Sequence, residues 1–326
     1  MIIDLNILFT SAGRRVALLG CFREALNALN LRGKLITGDL LPTAPARFAA
    51  DIHEMLPRIT EREYVDCVMD VCRRHNVRLV VPLIDTELHL LAPYRQRFAD
   101  HGITLLVSSA ETTRLALDKR ETARFFSANG FDSPSARDSA DIFARGGPFP
   151  VLIKPARGSA GEGVRRIDNV AELRFYLDTT PEPLVQELLE GTEYTIDVLV
   201  DMHGKVRSVV PRRRIEVRSG EVSKGVTEKN GGVIEEARRI TEALPGAFGP
   251  ITLQCFQTPD GRIAFIEINP RFGGGYPLSA AAGADFPRWI IEWILGREPD
   301  IGLTDWIDGL YMLRYDDAWF VPGERL

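Results

Sequence analysis

The sequence predicts an α/β unit followed by an α+β unit, and three observations carry that division. Short apolar runs alternate with amphipathic segments over the first third of the 326 residues. That alternation stops near Asp118, and strand-rich texture with polar side chains at strand ends takes over. The first pattern belongs to a parallel sheet with crossover helices, the second to strands joined by turns.

Taken in order, MIIDLNILFTSAGRR reads as a first strand. Asp4 and Asn6 interrupt its apolar run and no cleavage-site pattern follows, so a signal peptide is not expected. KLITGD, VRLVVPLI and ITLLVS repeat the strand pattern, and REYVDCVMDVCRRH is amphipathic. This part resembles a Rossmann-like half. Beyond Asp118 come a helix, KRETARFFSANG, a strand, FPVLIK, and a glycine-rich loop. The strand-rich LVQELLEG, TEYTIDVLVD and KVRSVVPRRRIEV follow. A helix GVIEEARRITEAL, a hairpin at Asp260-Gly261, a helical FPRWIIEWILG and a strand-like GLYMLRYDDAWFV complete the chain. No repeat or low-complexity linker is present.

Composition excludes several classes. With 45% hydrophobic residues the chain can bury a substantial core. Forty basic against 45 acidic residues leave a formal charge of −5, so nothing draws the whole chain to nucleic acid or an anionic membrane. Cys21, Cys67, Cys72 and Cys255 form no CxxC pair and the five histidines are scattered. Neither a zinc site nor a disulfide framework is therefore expected, and a reducing cytoplasm is the expected compartment.

The stretch ITLQCFQTPDGRIAFIEINPRFGGGYP carries the first site argument. Asp260-Gly261 signals a two-residue hairpin, which sets Pro259 opposite Arg262 and Gln254 opposite Glu267. Because strand side chains alternate, Asn269 shares the face of Glu267, and Gln254, Glu267 and Asn269 converge. Such an oxygen set suits Mg²⁺ completed by phosphate and water, and it equally suits a hydrogen-bonded polar cluster at a strand end.

The second argument is VLIKPARGSAGEGV, where Lys154 ends a strand and Gly158, Gly161 and Gly163 follow among small residues. Exposed backbone N–H groups can wrap phosphate oxygens there, and a lysine adds a point charge. The spacing fits neither GxxxxGK[ST] nor GxGxxG. A flexible loop beside a solvated lysine is the competing reading.

These stretches occur in a fixed order: Lys119 at a helix start, Lys154 with its glycine loop, QELLEGTE, an arginine-rich strand, Gln254, then EINPR. The order resembles the ATP-grasp superfamily, and the GRR and EINPR motifs are similar to its carbamoyl-phosphate synthetase large-subunit branch and that branch's stand-alone carboxylate-amine ligases. The resemblance runs from about Asn6 to Gly296. It implies an ATP-grasp fold with a pre-ATP-grasp domain over 1–117, a small lid subdomain over 118–190 and a C-terminal catalytic subdomain over 191–326. By resemblance, Lys119 and Lys154 reach the ATP phosphates, and Ser159, Ala160, Gly161 and Gly163 belong to the lid loop. Gln186, Glu187 and Leu189 form the adenine edge, largely through backbone groups, and Glu193 takes the ribose hydroxyls. Gln254, Glu267 and Asn269 are the metal set, for Mg²⁺ or Mn²⁺. Arg271 stabilises the transferring phosphoryl group, with Arg214 and Lys224 as further substrate or phosphate contacts. Many members place an acid where Gln254 stands, and the carbamoyl-phosphate branch places glutamine.

The implied chemistry is ATP-dependent joining of a carboxylate to an amine through an acyl phosphate, which needs no nucleophilic side chain. The expected partners are small carboxylate and amine substrates, amino acids first among them, with no nucleic acid and no membrane; a homodimer is compatible with this. A carbamoyl-phosphate synthetase using bicarbonate and ammonia, or an ATP-binding sensor without turnover, are the alternatives. Other residues attract plainer readings. Asp39 lacks the glycine fingerprint of a dinucleotide site, Lys224 reads as part of a polar loop, and Trp289 with Trp293 reads as core.

Overall fold

The computed structural model describes residues 4–158, 161–218 and 220–326. Its first layer is a parallel sheet of β1 (Asn6–Thr10), β2 (Leu35–Asp39), β3 (Ile52–Met55), β4 (Val77–Pro82) and β5 (Thr104–Leu105), ordered β3-β2-β1-β4-β5. Both faces are covered, as the apolar runs demand. Ile7 and Phe9 enter one core cluster and Leu8 the other, the period of two that a doubly covered strand imposes. Strand order reverses between β1 and β4, so the loops leaving their C-terminal ends open a crevice. Arg15 follows the first of those loops and Asp85 the second.

Two expectations change here. ITLLVS contributes only a two-residue strand, and the edge strand β3, IHEM, was not anticipated. Its side chains are only partly buried, so it lacks the apolar signature that marks the central strands.

The second layer is an antiparallel sheet of β6 (Val151–Pro155), β7 (Arg165–Ile167) and β8 (Pro183–Glu187), ordered β7-β6-β8. It holds a separate small core including Ile142, Ile153, Leu173 and Val185.

The third layer is a six-stranded sheet of β9 (Thr192–Val200), β10 (Val206–Arg218), β11 (Glu221–Thr227), β12 (Gly249–Gln257), β13 (Ile263–Asn269) and β14 (Tyr311–Leu313), ordered β13-β12-β9-β10-β11-β14. Its core is continuous with that of the first sheet. Phe22, on the helix Val16–Ala28, meets Phe9 and Phe272 edge-on at 5.0 and 5.7 Å. Trp293 is buried on the helix Phe286–Ile294, and Trp289 stacks on Phe286. Of GLYMLRYDDAWFV only Tyr311–Leu313 is strand. EVSKGVT is a strand, not the polar loop read for Lys224; Gly225 breaks its apolar pattern because a Cβ there would stand 3.2 Å from the Arg213 carbonyl oxygen.

Among the described residues no helix is long and apolar enough to cross a membrane.

Candidate functional site

A cavity of about 670 Å³ lies among the three sheets and takes residues from each. Its floor is the β12/β13 hairpin, whose register is subtler than the two-residue turn expected. Thr258 N–H donates to the Arg262 carbonyl and Gly261 N–H to that of Thr258, so three residues form the loop, with Gly261 at φ +90°. Gln257, Phe256 and Cys255 then face Ile263, Ala264 and Phe265, one residue out of the expected register. A bulge between Gln254 and Cys255 restores it, and Gln254 does face Glu267. The bulge also lets Phe265 stay in the core while Ile266, Glu267 and Asn269 line the cavity.

Two lysines enter from the side of the three-stranded sheet. Lys154, at the end of β6, is 7% exposed and has no side-chain hydrogen bond or ion pair among the described residues; burial and then Lys119 push its ammonium down to about 8, with Glu267 opposing. Lys119 opens the helix Lys119–Ala128, capped by Asp118, and its backbone N–H binds the Ala156 carbonyl at 2.9 Å. Its Nζ donates to the Gly158 carbonyl at 2.8 Å, tying the helix start to the glycine loop. Gly158, Gly161, Glu162 and Val164 line the cavity. Gly163 does not; its φ of +72° and the Pro155 ring 2.8 Å from a would-be Cβ make it a turn position that favours glycine. Ser159 and Ala160 lie outside the described residues.

Gln186, Leu188 and Leu189 line the opposite wall. Glu187 belongs to this segment through its backbone, because alternation turns its carboxylate away from the cavity. It is paired there with Arg262 and accepts from Ser135 N at 2.9 Å; burial opposes its charge, yet these bonds hold it at about 2. Glu193 lines the cavity beside Arg214, whose Nη1 is 3.1 Å away, and burial raises its carboxyl above the usual range. Lys224 corrects the expectation. It pairs with Glu216 at 2.7 Å across β10 and β11 and does not line the cavity.

Among the described residues no three His, Cys, Asp or Glu side chains cluster as a metal site. The oxygen donors nevertheless fit a hard cation that keeps water and phosphate ligands. The Glu267 carboxylate has no hydrogen bond or ion pair among the described residues, while Gln254 stands opposite and Asn269 two residues on. Asn269 Oδ1 accepts from Arg271 Nη2 at 3.1 Å, so this donor is shared.

Arg271 itself is held from the first sheet. Its Nε and Nη2 donate to Asp85 Oδ2 at 3.0 and 2.6 Å across 186 residues of sequence. Sequence reasoning missed Asp85, since its only local signal is the DTE that opens a short helix after β4. It also missed Arg15 and the use of Gly273 to Gly275. Asp39 accepts from Gly13 N–H at 2.7 Å and Leu40 N–H at 2.8 Å, a turn anchor.

Residues 7–106 match the family described as PylC-like, N-terminal domain, and residues 179–314 that described as ATP-grasp in the biosynthetic pathway with Ter operon. The chain is 23% identical over 222 residues to a carbamoyl phosphate synthase large chain from Thermoanaerobacter sp., covering 61% of this chain and 20% of that one. It thus spans about a fifth of that relative's length. It is 30% identical over 272 residues to the formate-dependent phosphoribosylglycinamide formyltransferase of Synechococcus sp., covering 76% and 66%. In structure it resembles the biotin carboxylase domain of 2-oxoglutarate carboxylase from Hydrogenobacter thermophilus, crystallised with MgADP, ADP and bicarbonate, with a TM-score of 0.73 at 18% identity over 94% of this chain and 73% of that. A parallel sheet, a small antiparallel sheet and a six-stranded sheet meet around a lysine-lined cavity, and with residues 179–314 matching an ATP-grasp family the chain belongs to the ATP-grasp superfamily.

Proposed function

We propose that the chain is an ATP-dependent carboxylate-amine ligase that forms ADP and phosphate. The observation that carries this reading is the meeting of Lys119, Lys154, Glu267 and Arg271 in one cavity, two cations from the lid side facing an unpaired carboxylate and an arginine from the third sheet. The three-part division at 117 and 190 belongs to the same proposal.

In this reading Lys119, Lys154 and the glycine loop hold the phosphates of ATP, Gln186 to Leu189 border the base, and Glu193 meets the ribose. Mg²⁺ or Mn²⁺ at Gln254, Glu267 and Asn269 would neutralise charge on the phosphate oxygens when bound. A substrate carboxylate oxygen attacks the γ-phosphorus, the bond to the β–γ bridging oxygen breaks, and ADP leaves. The amine nitrogen then attacks the acyl carbon, expels phosphate and loses a proton. Arg271 lies beside the transferring group and stabilises charge that grows in the transition state. Arg214, beside Glu193, adds positive charge to the nucleotide side. Amino acids are the first substrate class, because arginines and carboxylates both border the cavity.

The test is release of ADP and phosphate from Mg·ATP by the purified protein with pairs of amino acids, with Glu267→Gln as the control. Turnover should require a carboxylate and rise with an amine. AMP and pyrophosphate as products would sink the acyl-phosphate route. Carbamoyl phosphate made from bicarbonate and ammonia would transfer the reading to that branch, and tight ATP binding without turnover would favour a sensor.

A further inference from the structure

The run Gly273-Gly274-Gly275 is unexplained by nucleotide binding. None of the three glycines has a positive φ, so backbone conformation does not demand them; at Gly274 and Gly275 the space a side chain would take is filled by Arg15, Glu221 and Arg212. A Cβ on Gly274 would stand 2.6 Å from Arg15 Nη1 and 2.9 Å from the Glu221 carboxyl carbon, and one on Gly275 would collide with Arg212 Nη1. Arg15 and Arg212 both border the cavity, and Nη1 of each is buried without a hydrogen bond among the described residues. Arg212 is 1% exposed and commits Nε and Nη2 to Asp197 at 2.7 and 3.1 Å. Buried guanidinium N–H groups rarely go without an acceptor, and each one that does costs stability.

Around Arg15 the charges do not balance. Glu221 is the nearest carboxylate, at 3.8 Å, and it is shared with Arg14 at 3.4 Å and Arg314 at 3.2 Å. Burial, and then the charge of Arg271, push the Arg15 guanidinium down to about 10. Three arginines competing for one carboxylate, with a fourth close by, form a local surplus of positive charge in a chain that is acidic overall.

We propose that this end of the cavity receives a second anionic group of the substrate, a carboxylate or a phosphate, docked against Arg15 over the glycine run while the reacting carboxylate faces Arg271. The substrate class is therefore a small dianion, and Arg15 brings the first sheet into its selection. Arg212 adds charge from β10, and the glycines keep the shelf low enough for the ligand to approach both guanidinium groups. The proposal rests on the ligase reading of the same cavity.

Binding of a panel, measured calorimetrically with Mg²⁺ and a non-hydrolysable ATP analogue present, tests it. Succinate and phosphoglycolate are compared with acetate, and L-aspartate and L-glutamate with glycine and L-alanine, so that each compound with two anionic groups, here called a dianion whatever its ammonium, meets one with a single anionic group, here called a monoanion. Dianions should bind at least about tenfold more tightly than the monoanions, as expected for one added charge-assisted contact. Phosphoglycolate against succinate separates phosphate from carboxylate as the second anion. Arg15→Gln should erase the margin and leave ATP-analogue affinity within about twofold. Arg15→Lys, which keeps the charge but not the planar fork, should retain part of it and serves if the glutamine variant does not fold. Equal binding of monoanions and dianions, no binding by any dianion, or an unchanged margin in both Arg15 variants would overturn the inference while ATP-analogue binding stands. Failure of the wild-type protein to bind the analogue would overturn the ligase reading and this inference with it.

Discussion

Two arginine-aspartate pairs border the same cavity and are built differently. Arg212 and Asp197 lie two positions apart in register on adjacent strands β10 and β9, 1% and 3% exposed, with both Asp197 oxygens engaged by the guanidinium and Ser279 Oγ added on one. Arg271 and Asp85 come from different sheets, are 13% and 20% exposed, and share only Asp85 Oδ2; Oδ1 is buried without a hydrogen bond. The first pair is held within one sheet, both partners coming from the paired strands β9 and β10. The second crosses the crevice between the first and third sheets and leaves an acceptor unused. Burial separates them, and so do the number of satisfied oxygens and the origin of the partners. An ion pair within one sheet holds that sheet, and one between sheets holds two layers together at a place where a ligand can compete.

The comparison breaks most readily at Asp197. Replacing it with alanine strands a fully buried guanidinium, and the expected loss is about 3–5 kcal/mol of folding free energy. Urea unfolding measures it, and a loss under about 1 kcal/mol would show that Arg212 finds another acceptor.

Lys154 sharpens the contrast as a cavity cation with no side-chain hydrogen bond or ion pair among the described residues. Its folded-state ammonium titrates near 8, below the ordinary lysine range, and a bound phosphate favours the charged form. Affinity for an ATP analogue should therefore be full below about pH 8 and fall as pH rises through that value, by at most about tenfold per pH unit. Lys154→Arg should flatten this profile between about pH 7 and 9.5, since a guanidinium stays charged. Parallel profiles for the two proteins would assign the titration to another group.

The smallest effect is expected at Asp85. Asp85→Asn keeps an acceptor and removes a charge from a half-buried pair, so stability should change by less than about 1 kcal/mol. A loss equal to that of Asp197→Ala would erase the distinction between the two pairs.

What could be read from the sequence was local. NILFT, LITGD and VRLVVP are strands because continuous apolar runs have one stable use between two helical layers, and Lys119 and Lys154 stand out because each ends or begins an element. The facing of Gln254 and Glu267 was also legible, although by a compensation: a three-residue loop shifts the register by one and a bulge shifts it back. The edge strand β3 and the strand β11 were not legible, because one is half exposed and a glycine interrupts the other.

By itself, then, the amino-acid sequence determined the order of elements, the apolar faces that build the core and the cavity's nearest-neighbour chemistry, all of which depend on spacings within one strand or hairpin. Only the tertiary structure decided that Asp85 holds Arg271, that Arg15 reaches the Gly273 to Gly275 shelf, and that Glu187 and Lys224 point elsewhere. Those outcomes depend on how the first sheet docks on the third and on which face a strand shows once its neighbours are paired. Residues 186 apart carry no local pattern that records their meeting, because the apolar packing that brings them together is supplied by other residues, among them Phe9, Phe22 and Phe272.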